Sequence, residues 1–360
     1  MHNDKITLIL TLKDNIEFTY RWLNYMNNQK CKYKILIADG GSNDSVEKIL
    51  ADRNLYANLN YEYIRYPYDK NLKIYYKKLL DVVNLVKTPY ILFMDNDDFF
   101  ILDSIPIFID YLDRNKDTVS CGGNTASLSL YSDRNKLLNE TVGDGYTLSR
   151  PINNSKSIQS NDSTARVCDF FNRADTSCLW LNYYFIHKAS AVKDTLNFLS
   201  EYQFKDVVSL EIYIQMSFNV IGKTKELDYP YYIRQEETST FSKSENKVGN
   251  IIVRFLNNNI SSEIRNSIEH IGEKLSLNEK DAIFDRFSSW FILHGSIIYA
   301  NPTKNKFKEF FESQNNLMLY IIFLRLSSFI KNFFSNTKVK YFVMKDLEKH
   351  ILIGKKEKYK

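Results

Sequence analysis

Pro89-Tyr90-Ile91-Leu92-Phe93-Met94-Asp95-Asn96-Asp97-Asp98-Phe99-Phe100 is an apolar run that stops abruptly in three carboxylates. Tyr90 to Met94 reads as a strand buried on both faces, as in the interior of a parallel sheet. Ligands of open α/β sheets bind beyond the carboxyl ends of the strands, so Asp95, Asp97 and Asp98 stand where a substrate is expected. Asp95 and Asp97 are two positions apart and face the same way if the extended backbone persists for one more step. Such a pair suits a hard divalent cation, Mg2+ or Mn2+, whose shell is completed by the phosphates of a nucleotide. The plain alternative is an acidic turn that closes a strand.

Upstream, the same pattern recurs. Lys5 to Leu12 is a β-rich apolar run, followed by a helix that Asp14 or Asn15 can cap and in which Phe18, Trp22, Leu23 and Met26 recur near helical period. Tyr33 to Ala38 is a second strand ending in Asp39-Gly40-Gly41-Ser42, with Ser42 to Asp44 placed to cap a helix through Leu50. Asn60 to Tyr66 is a third strand, and Asn71 to Val86 a helix with Leu72, Tyr75, Tyr76, Leu79, Val82 and Val83 on one side. Strands alternating with helices imply βαβ units joined by right-handed crossovers into one parallel sheet. Thr11, Asp39 and Asp95 to Asp98 then gather along one rim, which turn chemistry alone does not explain.

Downstream, Val119 to Arg166 is polar and rich in Ser, Asn, Asp and Gly, which predicts irregular strands and loops. Cys178 to Ile186 reads as a strand, Lys205 to Val220 as a helix carrying Asp206 and Glu211 and closed by Gly222, and Leu227 to Arg234 as a further strand. Gln235 to Asn246 is a polar loop, after which the alternation stops. Ile251 to Ile264, Glu279 to Tyr299 and Lys304 to Gln314 read as helices.

The 360 residues, 44% hydrophobic and 25% charged, have ordinary globular composition, which excludes general disorder. Four cysteines without a Cys-x-x-Cys pair and five scattered histidines argue against a zinc site. The first residues lack a basic region followed by a long apolar segment, so a reducing cytoplasm is the expected location. The net charge of +5 is uneven: residues 303–360 hold 13 Lys and Arg against 5 Asp and Glu, leaving the remainder slightly acidic. That distribution disfavours a nucleic-acid partner. Leu317 to Phe334 is very apolar but is interrupted by Arg325 and Lys331, so it does not suit a bilayer span. With the lysines that follow, 317–360 suits peripheral contact with the inner face of a membrane bearing anionic lipids. A buried core helix with a solvated basic tail accounts for the same residues.

Three segments together resemble family 2 glycosyltransferases of the GT-A fold, and more narrowly the bacterial glycosyltransferase-like subfamily associated with surface polysaccharide synthesis. They are Thr11-Leu12-Lys13 with Glu17 to Leu23, Ile35 to Gly41, and Thr88 through Phe100. The resemblance implies an α/β fold, GT-A (Rossmann-like), with a mostly parallel central sheet flanked by helices. It implies a transferase domain over 1–245 and a helical C-terminal region over 246–360. It further implies a metal-dependent, inverting enzyme that moves a sugar from a nucleotide-diphosphate sugar to a saccharide or lipid-linked saccharide acceptor. Asp95 and Asp97 would hold Mn2+ or Mg2+. Thr11, Lys13, Asp39, Gly41, Asp69, Asn96, Arg234 and Gln235 would bind the nucleotide-sugar. Glu211, eleven positions before Gly222, matches the family's catalytic acid but stands as Glu where Asp is commoner, and Asp206 is the alternative base. Two other readings share some of these features. One is a transferase-like scaffold without catalysis, and the other is an Asp-nucleophile phosphohydrolase, against which Phe99 stands where a Thr or Val is usual.

Overall fold

The computed structural model describes residues 2–129, 140–143, 146–149, 157–172, 181–202, 204–205, 207–235, 259–275 and 279–299. Its organising element is a parallel block of β1 (Ile6–Leu12), β2 (Lys34–Asp39), β3 (Asn60–Arg65) and β4 (Tyr90–Met94), in the order β3-β2-β1-β4. Helices α1 (Ile16–Asn28), α2 (Ser45–Ala51) and α3 (Leu72–Asn84) make the crossovers. Strand order reverses between β1 and β4, and a crevice opens at the carboxyl ends of an open sheet at such a point. β1 and β4 lie in the interior of the whole sheet, between β2 and β9, and nearly every side chain in them is apolar and buried on both faces.

The second half of the sheet has a different texture. β5 (Phe99–Phe100), α4 (Ile105–Arg114), β6 (Thr118–Ser129), β7 (Glu140–Gly143), β8 (Tyr146–Ser149) and α5 (Ser163–Phe171) follow β4. After them come β9 (Ile186–Lys188), α6 (Ala189–Glu201), α7 (Val207–Ile221) and β10 (Lys223–Gln235). β9 is antiparallel to both β4 and β6, whereas β6 and β10 are parallel and β5 pairs antiparallel with β10. Register shifts around Pro230 bend β10, since proline cannot donate to the ladder.

Residues alternate between two apolar layers. Leu8, Leu10, Ile35, Ile37, Leu92 and Met94 pack with Trp22, Met26, Leu50, Phe108 and Leu112 on one side. Ile9, Leu36, Ala38, Ile91 and Phe93 pack with side chains of α3, α5, α6 and α7 on the other. Ile264, Ile268 and Phe287, from helices Asn259–Leu275 and Lys280–Tyr299, belong to that second layer.

Several local expectations are corrected. Of the strand expected over Cys178 to Ile186, residues 178–180 lie outside the described residues and the rest is a 3-10 turn at Leu181–Tyr184 followed by β9. The turn swings Tyr183 onto Phe93, ring centroids 4.7 Å apart, so the apolar run reflects burial rather than extension. Neither Asp14 nor Asn15 caps α1. Both have left-handed backbone, and Asp14 accepts from Ser42 N (2.7 Å) and Oγ (2.6 Å), which ties the β1–α1 loop to the β2–α2 loop. α5 begins inside the polar stretch because Asp162 caps it, accepting from Ala165 N at 2.6 Å. The helix expected over 251–264 is found at Asn259–Leu275, while 251–258, the helix expected at 304–314 and the tail 317–360 lie outside the described residues. No helix among the described residues is long and apolar enough to cross a membrane.

Two buried polar groups tie neighbouring elements together, one in each half. His187 of β9 is fully buried, with Nδ1 2.6 Å from Ser120 Oγ and Nε2 3.1 Å from the Tyr183 carbonyl. A carbonyl only accepts, so Nε2 carries the proton, Ser120 donates to Nδ1, and the ring is neutral. Desolvation pulls its pKa from 6.5 to about 4. Lys78 of α3 donates to the Leu12 carbonyl (3.0 Å) and to the Asp69 carboxylate, with side chains only 1% and 2% exposed. Burial lowers the Lys78 pKa and raises that of Asp69, and their pairing opposes both shifts.

The unfolded chain protonates His187 near pH 6.5 and the folded chain only near 4, so stability falls as pH drops through that window. The loss is about 3 kcal/mol, because each tenfold difference in proton affinity between the two states is worth roughly 1.4 kcal/mol. Denaturant unfolding at pH 7 and pH 4.5 should show this slope, and His187→Gln should flatten it. Lys78→Met strands a buried carboxylate and should cost about 3–5 kcal/mol, with Lys78→Met/Asp69→Asn recovering part of it. Urea unfolding of the three proteins checks this, and equal losses in the single and double variants would contradict it.

Candidate active site

Register brings the strand ends to one edge. Leu12 pairs with Asp39 and Leu10 with Met94, so Thr11, Asp39 and Asp95 close adjacent strands on either side of the reversal point. Gly40 N donates to the Leu12 carbonyl at 2.9 Å and Asp69 N to the Gly40 carbonyl at 2.9 Å, which folds the β2 and β3 exits over the end of β1. A Cβ at Gly40 would lie 2.4 Å from an Asp69 carboxylate oxygen, so only glycine fits there.

Asp39 is 2% exposed, and its carboxylate accepts from Gly41 N (2.8 Å), Tyr63 Oη (2.7 Å) and Arg65 Nη1 (2.8 Å). It therefore anchors Arg65, whose side chain is about a third exposed and presents a cation at the edge. Lys13 is exposed, with Nζ 5.4 Å from the centroid of the half-exposed Tyr68 ring. Asp69 is buried on Lys78 beneath this surface. The Thr11 hydroxyl meets Tyr75, which also bonds Tyr183.

Beyond β4, oxygens of Asp95, Asp97 and Asp98 lie within 4.8 Å of one another. Desolvation and the adjacent Asp97 charge push the Asp95 pKa up to about 6, against the Tyr184 hydrogen bond and the charges of Arg234 and Lys78. The Asp98 carboxyl is also held well above its ordinary range by burial and by the charges of Asp97 and Asp95. An all-oxygen set of desolvated, mutually repelling carboxylates fits a hard divalent cation such as Mg2+ or Mn2+. Asp95 and Asp97 are the half-buried members and Asp98 the buried one. The Asn96 side-chain amide donates to Thr19 Oγ1 at 2.8 Å, so in this structure it faces α1.

Arg234 and Gln235, at the end of β10, come to the same loop. The Arg234 charge acts on Asp95, and Gln235 N donates to Asp98 Oδ1 at 2.8 Å. Glu211 is half-buried on α7, and its charge reaches Tyr76. The Tyr76 ring stands 5.2 Å from that of Tyr75, which in turn feels Asp95. Two adjacent tyrosines of α3 thus link the candidate base to the acidic loop. Asp206 lies outside the described residues.

Sequence reasoning did not single out Arg21, Tyr63, Arg65, Lys78, Tyr184 or Tyr232. Lys78 could have been found, because it falls three positions after Tyr75 and four before Val82 on the apolar face of α3. Tyr184 and Tyr232 carry no such signal, since aromatic residues in apolar runs are ordinary packing.

The model of the glycosyl transferase family 2 matches residues 8–173. No curated protein sequence matches the chain. Among solved structures, S. aureus TarS 1-349 in complex with UDP-GlcNAc is 13% identical with a TM-score of 0.50, covering 79% of this chain and 72% of that one. That likeness is one of fold. The same TarS fragment in complex with UDP gives 14% identity and 0.46 over 79% of this chain and 70% of that one. The longer S. aureus TarS structure gives 13% and 0.48, and there the match spans 79% of this chain but only 43% of that one. The matched region runs from within β1 through β4 and the acidic loop, so the part of the chain that carries the strand-end edge is similar to glycosyl transferase family 2, and the architecture is that of the GT-A fold.

Proposed function

We propose that the chain transfers a sugar from a nucleotide-diphosphate sugar to a hydroxyl of a saccharide or lipid-linked saccharide, in surface polysaccharide synthesis. The observation that carries this reading is the meeting of the β1, β2 and β4 ends at the strand-order reversal, with two half-buried carboxylates, of which Asp95 feels the Arg234 charge. On this reading the nucleoside lies along Thr11, Lys13, Asp39 and Gly41, with Arg65 as a further contact and Asp69 supporting them from beneath on Lys78. Asn96, Arg234 and Gln235 lie along its diphosphate. Asp95 and Asp97 would hold Mn2+ or Mg2+, which would supply positive charge against the departing diphosphate. Arg234 adds a fixed cation at the same end, where charge grows as the sugar leaves. Glu211 accepts the proton of the attacking hydroxyl from the opposite face, with Asp206 as the alternative base, and a single displacement inverts the anomeric centre. Residues 1–245 form the transferase unit and 246–360 an extension whose described helices complete its second apolar layer. The protein acts in the cytoplasm, with 317–360 resting on the anionic inner face of the membrane.

A panel of nucleotide-sugars, beginning with the UDP-GlcNAc bound by TarS, tests the reading with and without Mn2+. Asp97→Ala should abolish metal-dependent turnover, and Glu211→Gln should lower kcat by about 10²–10⁴ while nucleotide binding persists. Product NMR should show an inverted anomeric centre, and a retained configuration would exclude single displacement. No turnover with any donor would favour the scaffold reading. Removing 317–360 should abolish sedimentation with vesicles containing phosphatidylserine, and undiminished sedimentation would remove the membrane role.

A further inference from the structure

We propose that Asp98 is a positioning residue that, with Tyr232 and Arg21, fastens the end of β10, and thereby Arg234, against the loop carrying Asp95 and Asp97. The inference rests on the donor-site reading above and divides the three acids into two ligands and one anchor. Asp98 is 4% exposed and both of its oxygens are engaged: Oδ1 accepts from Gln235 N at 2.8 Å and Oδ2 from the Tyr232 hydroxyl. The Tyr232 ring stacks on Tyr184 at 4.8 Å and 19°, and Tyr184 donates to Asp95. The anchor and one ligand are therefore joined through two stacked tyrosines.

Arg21 closes the other side. Its guanidinium donates through Nη1 to Gln235 Oε1 and through Nη2 to the Asp97 carbonyl at 2.8 Å. It lies over Phe18 and Phe99, 5.0 and 4.8 Å from their centroids, so its plane is fixed by packing as well as by hydrogen bonds. The backbone ladder here is short, with Tyr232 opposite Phe100 and Ile233 opposite Phe99. Side chains therefore supply most of the connection between β10 and the acidic loop. A helix, a loop and a strand 76 to 214 positions apart in sequence converge on one backbone segment, Asp97 to Asp98. An acid whose lone pairs face inward in this way orients the ligating pair instead of joining it.

Titrating Mn2+ in the presence of UDP by calorimetry, on the full chain, tests the assignment. Asp98→Asn keeps the shape but cannot accept from both donors, and it should raise the half-saturating Mn2+ by about tenfold with the number of sites per folded molecule unchanged. Tyr232→Phe should give a smaller shift in the same direction, and Asp98→Asn/Tyr232→Phe no more than Asp98→Asn alone, because both remove one link. Arg21→Lys, which cannot span two acceptors, should also raise the half-saturating Mn2+, while Arg21→Gln should raise it further. A purely structural role would lower melting temperature or the number of competent sites and leave half-saturation in place. Unchanged half-saturation in Asp98→Asn would overturn the inference alone, and so would a complete loss of metal binding matching Asp97→Ala, which would make Asp98 a ligand. Failure of the unaltered protein to bind UDP, GDP or CDP with Mn2+ would overturn the donor-site reading and this inference with it.

Discussion

Carboxylates crowded at one edge of a low-dielectric sheet repel one another, and cations from four different elements offset that repulsion. Lys78 of α3 sits beneath Asp69 and acts on Asp39 and Asp95 as well. Arg65 of β3 pairs with Asp39, Arg234 of β10 acts on Asp95, and the Arg21 charge of α1 is sustained by Asp97 and Asp98. The balance is incomplete at the acidic loop, where desolvation and mutual repulsion hold the Asp95 and Asp98 carboxyls above their ordinary range. An edge in that condition gains from an added divalent charge, which links the chemistry proposed here to the forces that shape the fold.

The cations have different neighbours and different consequences. Lys78 is fully enclosed, so its ion pair with Asp69 is set during folding and does not respond to solvent. Arg65 is partly exposed and keeps hydrogen-bonding capacity toward whatever approaches the β2 and β3 exits. Arg21 is held between aromatic faces, where burial lowers its pKa to about 10, still charged at neutral pH. One sheet edge thus has a rigid floor and an adjustable rim.

The parallel block was legible in the sequence because its strands are short continuous apolar runs, each followed by an acid or a glycine turn and then a helix of clear period. Asp39 and Asp95 could be placed on one rim from that alone, since strand ends in βαβ units share a direction. The second half was less legible for a physical reason. β6 and β10 are bent and half polar, and β9 has only Ile186-His187-Lys188, too few residues to show a period. The run before β9 is apolar because Tyr183 and Tyr184 fold back over Phe93 and Asp95, and composition cannot distinguish that from a strand. Contacts such as Arg21 with Gln235 were out of reach, because no local pattern joins residues 214 positions apart.

The brevity of β9 bears on how such a molecule changes over evolutionary time. Within the sheet, three residues carry the main-chain ladder between the parallel block and the β6–β10 pair, and the family-wide match ends at residue 173, before β9 begins. A seam so narrow couples the register of β1 to β4 only weakly to the curvature of β6 to β8, while β10 stays tied to the acidic loop through Arg21 and Asp98. Sequence change in those middle strands therefore leaves the strand-end edge of β1 to β4 in place.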